Sequence, residues 1–144
     1  MAVFQSEQEI YEILGAFFEN VKEGDVAKKI LQSYQPSETH DALVQFVYTK
    51  PEAKITWIKN ETGDGIDIIC GETNLNPELK FEMNADIGHK FWSGKVELSQ
   101  ALARQQMTAH GPLSKSLKVV PHLQGWFPLY KEHLIEVGRE DLVG

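Results

Sequence analysis

The stretch DIGHKFWSGKVELSQALARQQMTAHGPLSKSLKVVP, residues 86–121, changes its hydrophobic period several times, and its reading decides the fold. Asp86 is placed to cap a short helix that carries Ile87 and Phe91 on one face and stops at Gly94. A second helix is expected over Leu98–Arg104. From Gln105 to His110 the segment is short and puts Met107 and Ala109 on one side, as in a strand with one apolar face. Gly111-Pro112 breaks that strand. Ser114 then caps a further helix carrying Leu117 and Val120, and Pro121 is expected to end it.

Working outward toward the N-terminus, the period is 2. Leu79, Phe81, Met83 and Ala85 alternate with Lys80, Glu82 and Asn84. Leu43–Thr49, Lys54–Asn60 and Ile66–Cys70 are rich in β-branched and aromatic residues. Pro51-Glu52 and Gly63-Asp64-Gly65 read as the turns that join them. With the segment before His110 this makes five strands. Ahead of them, Ser6 and Glu9 form a capping box, and Ile10, Ile13, Leu14, Phe17, Phe18 and Val21 follow as one wide helical stripe. Gly24 ends that helix, and Asp25 caps a shorter one in which Val26 and Ile30 share a face. The polar stretch Pro36–Asp41 reads as a connection. At the other end, Pro128 sits where a first helical turn accepts proline, and Phe127, Tyr130, Leu134 and Val137 line a face until Gly138. The order is that of one α+β domain spanning residues 1–144, with its core over about 6–138.

The bulk properties narrow the function. A chain of 144 residues supports one core. Its net charge of −7 argues against nucleic-acid binding, which rests on clustered Lys and Arg. The charge is uneven: residues 1–87 carry 16 acidic and 7 basic side chains, residues 88–144 carry 5 and 7. A single cysteine, Cys70, points to a reducing, cytoplasmic setting and reads as an inert buried thiol. The opening MAVFQSEQEIYE lacks the basic and apolar regions of a signal peptide. No apolar run approaches the roughly 18 residues of a membrane span.

Chemistry is thinly represented. The five histidines (His40, His89, His110, His122, His133) form no close metal-ligand pair, and no CxxC, Walker loop or serine elbow occurs. Asp86 and His89, three apart, are the one candidate acid–base pair, although an N-cap role explains the aspartate more simply. No cofactor and no catalytic residue is expected.

Residues 86–121 resemble the sterol carrier protein 2 family, the lipid-transfer domain also called the SCP2 sterol-binding domain. The parts that carry the likeness are Asp86 opening a helix, Phe91 and Trp92, the Gly94-Lys95 turn, the helix from Leu98 to Arg104, the strand ending at Gly111, and the amphipathic segment from Leu113. The likeness is strongest over about residues 79–123. It implies a five-stranded, mostly antiparallel sheet covered by helices on one face, with an apolar tunnel between the layers. It also implies a non-enzymatic intracellular carrier of a fatty acyl, sterol or isoprenoid-like ligand. Such a site needs flexible or aromatic walls, and the candidates are Trp57, Ile68, Phe81, Met83, Phe91, Trp92, Leu98, Leu102 and Met107; each also suits an ordinary core.

Collecting a lipid requires surface contact. Leu113–Leu134 mixes Lys115, Lys118 and Lys131 with Leu117, Val120, Trp126, Phe127 and Tyr130, the make-up of a transient membrane-docking face. The same segment would serve equally as a homodimer interface or a plain packed helix. Two other functional classes fit the composition. One is a hydrophobic-pocket enzyme of ketosteroid isomerase type, whose helices would precede nearly all of its strands. The other is an interaction module with an apolar groove.

Overall fold

The computed structural model describes residues 3–33, 40–61 and 65–143. Most of the expected Pro36–Asp41 connection, and Gly63-Asp64, lie outside the described residues.

Ser6 opens α1 (Glu7–Ile10) as expected: its backbone is extended, and its hydroxyl accepts the Glu9 N–H at 3.1 Å. The helix widens into a π turn over Tyr11–Gly15 before resuming as α2 (Ala16–Val21). At Gly15 a Cβ would lie 2.8 Å from the Cys70 sulfur, so any side chain there would push the Cys70 thiol aside at the end of the third strand. α3 (Asp25–Ser33) follows, with Ile30 buried and Val26 half-buried on its inner side.

The sheet is ordered β3-β2-β1-β4-β5. Its strands are β1 (Ala42–Thr49), β2 (Ala53–Lys59), β3 (Ile66–Cys70), β4 (Pro77–Asn84) and β5 (Met107–His110). Three neighbouring pairs are antiparallel and the central β1–β4 pair is parallel. Period-2 alternation sorts the faces. Trp57, Val44 and Leu79 stand in one cross-strand row, Ile55, Phe46 and Phe81 in the next, and Tyr48, Met83 and Met107 in the third. All nine are buried beneath the helices. The opposite face carries Lys54, Lys80, Glu82 and Thr108, together with Gln45, which donates to the Thr56 hydroxyl at 3.1 Å.

α4 (Ala85–Trp92) starts directly where β4 stops, and its cap differs from the expected one. Asn84, not Asp86, has the extended backbone and accepts the Ile87 N–H at 2.8 Å. Asp86 lies inside the first turn, where its carboxylate accepts the Val3 N–H at 2.7 Å and ties down the N-terminal segment. α5 (Leu98–Ala103) precedes β5.

α6 (Leu113–Leu123) corrects the sequence reading twice. Pro112, with extended backbone, occupies the cap in place of Ser114, and Pro121 lies within the helix. The N–H that proline lacks would serve only one bond in the last turn, so the helix runs two residues further before tightening into a 3-10 turn at Gln124–Trp126. Near the start of α6, Lys115 reaches the buried carboxylate of Glu78 at 2.6 Å, and His40 pairs with the same group. α7 (Phe127–Glu136) then buries Tyr130, His133 and Leu134, whereas Val137 is exposed rather than part of its inner face. A final 3-10 turn covers Glu140–Leu142.

Candidate ligand-binding interior

Between sheet and helices the core divides into an aromatic half and a half in which methionine and aliphatic side chains meet the rings. In the aromatic half, Phe17 and Phe18 from α2, Phe46 and Trp57 from the sheet, Trp92 from α4 and Trp126 interlock. Ring centroids are 5.1 Å apart for Phe18–Trp57, 4.9 Å for Phe46–Trp57 and 5.4 Å for Trp57–Trp126, each near edge-to-face. Such pairs contribute about 0.5–1.5 kcal/mol each beyond the area they bury. That half is closed.

The other half holds a cavity. Phe81 and Met83 of β4, Phe91 and Trp92 of α4, Leu98 of α5 and Met107 of β5 surround it, six of the nine residues named from the sequence. Trp57 is not on its wall; it is locked in the aromatic half. Ile68, paired with Trp57 on the outermost strand, and Leu102 are half-buried and also stand apart. The remaining walls are Phe46, Val120 and Leu123. Phe46 alternates with Val44 and Tyr48 and was accessible to the same period-2 argument. Val120 lay on the expected helix but was read as part of a docking face, and Leu123 lies beyond Pro121, where that helix was expected to stop.

The volume available to a water-sized sphere is about 10 Å³, room for about one water. Where the family resemblance implies an open tunnel, this structure has a narrow apolar pocket with almost no free volume.

Two buried polar atoms beside this interior have no hydrogen-bond partner among the described residues, Tyr48 Oη and Trp57 Nε1. The Trp92 indole lies near the Tyr48 oxygen without reaching hydrogen-bonding geometry. Burial pushes the Tyr48 phenol well above its usual range, so it stays protonated. An unsatisfied buried donor costs about 1–3 kcal/mol, a cost that a ligand oxygen or a buried water would relieve.

The two buried histidines are consumed by structure. His89 Nδ1 accepts from the Tyr130 hydroxyl at 2.8 Å, and its Nε2–H donates to the Leu142 carbonyl at 3.0 Å. His133 Nε2–H donates to the Ile13 carbonyl in the π turn at 2.9 Å, and Nδ1 accepts from Asn20 at 3.1 Å. Burial holds both imidazoles below the ordinary histidine range, against the raising effect of those carbonyls. Asp86 is engaged by Val3, so the Asp86–His89 acid–base pair does not form.

Cys70 is exposed rather than buried, at the end of β3, with its thiol pushed up by partial desolvation. Among the described residues no group of three or more His, Cys, Asp or Glu side chains could hold a metal ion, and no helix is long and apolar enough to cross a membrane. In the segment read as a docking face, Trp126 and Tyr130 point inward and Lys115 is engaged by Glu78; Lys118 and Lys131 are exposed.

No family model matches the chain, and no curated protein matches it significantly. Solved structures do. TT1886 from Thermus thermophilus, described as a possible sterol carrier protein, is 13% identical; the match covers 92% of each chain with a TM-score of 0.58. The sterol carrier protein domain 2 of Helicoverpa armigera is 14% identical over 83% of this chain and 88% of its own, with a TM-score of 0.57. The fold is that of sterol carrier protein 2. The SCP2-like domain here also has a partial likeness to the sec-alkylsulfatase Pisa1 from Pseudomonas sp., with a TM-score of 0.46 and 15% identity. That match takes in 63% of this chain and only 13% of the sulfatase.

Proposed function

We propose that this SCP2-like domain is a non-enzymatic intracellular lipid carrier, holding a fatty acyl, sterol or isoprenoid-like ligand between its sheet and its helices. The observation that carries the reading is the apolar pocket enclosed by both layers of an SCP2 fold. Uptake requires that pocket to grow from about 10 Å³ to the roughly 300 Å³ or more of an occupied small-molecule site. The walls supplied by α5 and α6, Leu98, Val120 and Leu123, are the ones that move. Sheet and aromatic half stay in place.

Magnitudes favour exchange over retention. Burying a methylene yields roughly 0.8 kcal/mol, so a 16-carbon chain gains roughly 13 kcal/mol on leaving water. Displacing packed side chains and ordering the chain reduce this, and micromolar binding needs only about 8 kcal/mol. A bilayer offers a comparable gain, so protein and membrane compete on near-equal terms.

The test is mass spectrometry of the organic extract of protein purified without detergent, followed by displacement of a fluorescent fatty acid. A co-purified lipid, or uptake that Phe91→Asp removes while secondary structure persists, is the expected result. An empty extract together with no uptake excludes carriage and favours the interaction module.

A further inference from the structure

Glu78 lies near the start of β4 with only 3% of its side chain exposed, and two other segments converge on it. Lys115, in the first turn of α6, donates to its Oε1 at 2.6 Å. His40, just ahead of β1, meets Oε2 through Nδ1. Gly111 passes over the backbone of the same residue, where a Cβ would collide with the Glu78 carbonyl. Its positive φ of 108° makes Gly111 the bend between β5 and α6. Glu78 therefore receives both the bend that leads into α6 and a side chain from the first turn of that helix.

The far end of α6 covers the pocket. Lys115, Val119 and Leu123 follow at i, i+4 and i+8, so they share a helix face. Val119 and Leu123 are buried, and Leu123 lines the pocket with Val120. The ion pair thus stands about 12 Å along the helix from the cover. Between the two, Pro121 has no N–H to donate back along the helix, which weakens it there. Burial of the carboxylate makes the pair less open to screening by salt than an exposed one. Withdrawing the ammonium would leave a buried charge less well compensated, so the contact is costly to lose.

We infer that the Glu78–Lys115 pair is a clamp that seats α6 and sets how readily its far end lifts from the pocket. The role of the pocket rests on the carrier reading; the seating of the helix does not. Neither residue lines the pocket, so the clamp governs the rate of opening and leaves the choice of ligand to the walls.

Hydrogen exchange of the full chain tests the seating. Lys115→Met keeps the aliphatic stem and removes the charge; amides of residues 113–123 should then exchange about tenfold faster, with β1 and β4 unchanged. Lys115→Arg should exchange as slowly as the wild type. Glu78→Gln, which keeps the side chain's shape, should reproduce the loosening and carries the test if the methionine variant folds poorly. Unchanged exchange of α6 in both charge-removing variants, or an equal acceleration in β1 and β4, overturns the clamp. Stopped-flow uptake of a fluorescent fatty acid reads the pocket, and Lys115→Met should take it up faster than the wild type. A loosened α6 with an unchanged uptake rate overturns its control of the pocket. No uptake by the wild type overturns the carrier reading, while the clamp stands on the exchange result.

Discussion

The two halves of the interior are built from one sheet face and differ in what covers it. Toward α2, rigid rings from Phe17, Phe18, Trp92 and Trp126 close over Trp57 with edge-to-face contacts, each ring fixing the next. Toward α5 and α6, the cover is Leu98, Val120 and Leu123 over Met83 and Met107, and a water-sized gap remains. Interlocked aromatics make a core that cannot yield in one place without disturbing several neighbours. Flexible methionines beneath aliphatic side chains can rearrange at low cost. The comparison assigns stability to the first half and adaptability to the second.

That division can be broken most severely at Trp57. Trp57→Ala should cost about 3–5 kcal/mol of stability in urea unfolding, against about 2 kcal/mol for Leu123→Ala beside the existing gap. Equal losses would mean that the halves are packed alike.

Acid should act on the helical layer as a whole. His89 and His133 are held neutral in the folded protein and bind protons more readily once unfolded. Stability is therefore fully present above the unfolded histidine value of about 6.5 and falls as the pH drops below it. The urea midpoint should be lower at about pH 5.5 than at about pH 7.5, and His133→Gln should flatten the difference. A midpoint that rises on acidification would contradict the buried neutral pair.

The smallest effect is expected at Tyr48. Its hydroxyl has no hydrogen-bond partner among the described residues, so Tyr48→Phe should change stability by no more than about 1 kcal/mol, in the stabilising direction. A marked loss in thermal unfolding would reveal a bound water or a second conformation that uses the hydroxyl.

The strands were readable because burial on one face writes itself as alternation, plain in Phe81, Met83 and their polar neighbours. The helix order after β4 followed from period changes around Gly94 and Gly111. Choice of cap was not readable in the same way. Asn84 and Asp86 both suit an N-cap, and the outcome depends on where β4 ends and on Val3, far away in sequence, taking the aspartate. Pro121 misled because a helix can accept proline where only one terminal bond is lost. Six of the residues chosen by type and face stand around one gap. Its closure depends on how rings from α2, α4 and the sheet interlock in space, which residue spacing does not encode.

The most direct measurement of the central claim uses a spin-labelled fatty acid and the NMR signals of two probes, the Met83 and Met107 methyls and the Trp57 indole. A ligand housed in the adaptable half should broaden the methionine methyls at concentrations that leave the Trp57 signal sharp. Broadening of Trp57 first, or of neither probe at saturating ligand, would contradict the claim that this SCP2-like domain holds lipid between its sheet and the α5–α6 cover.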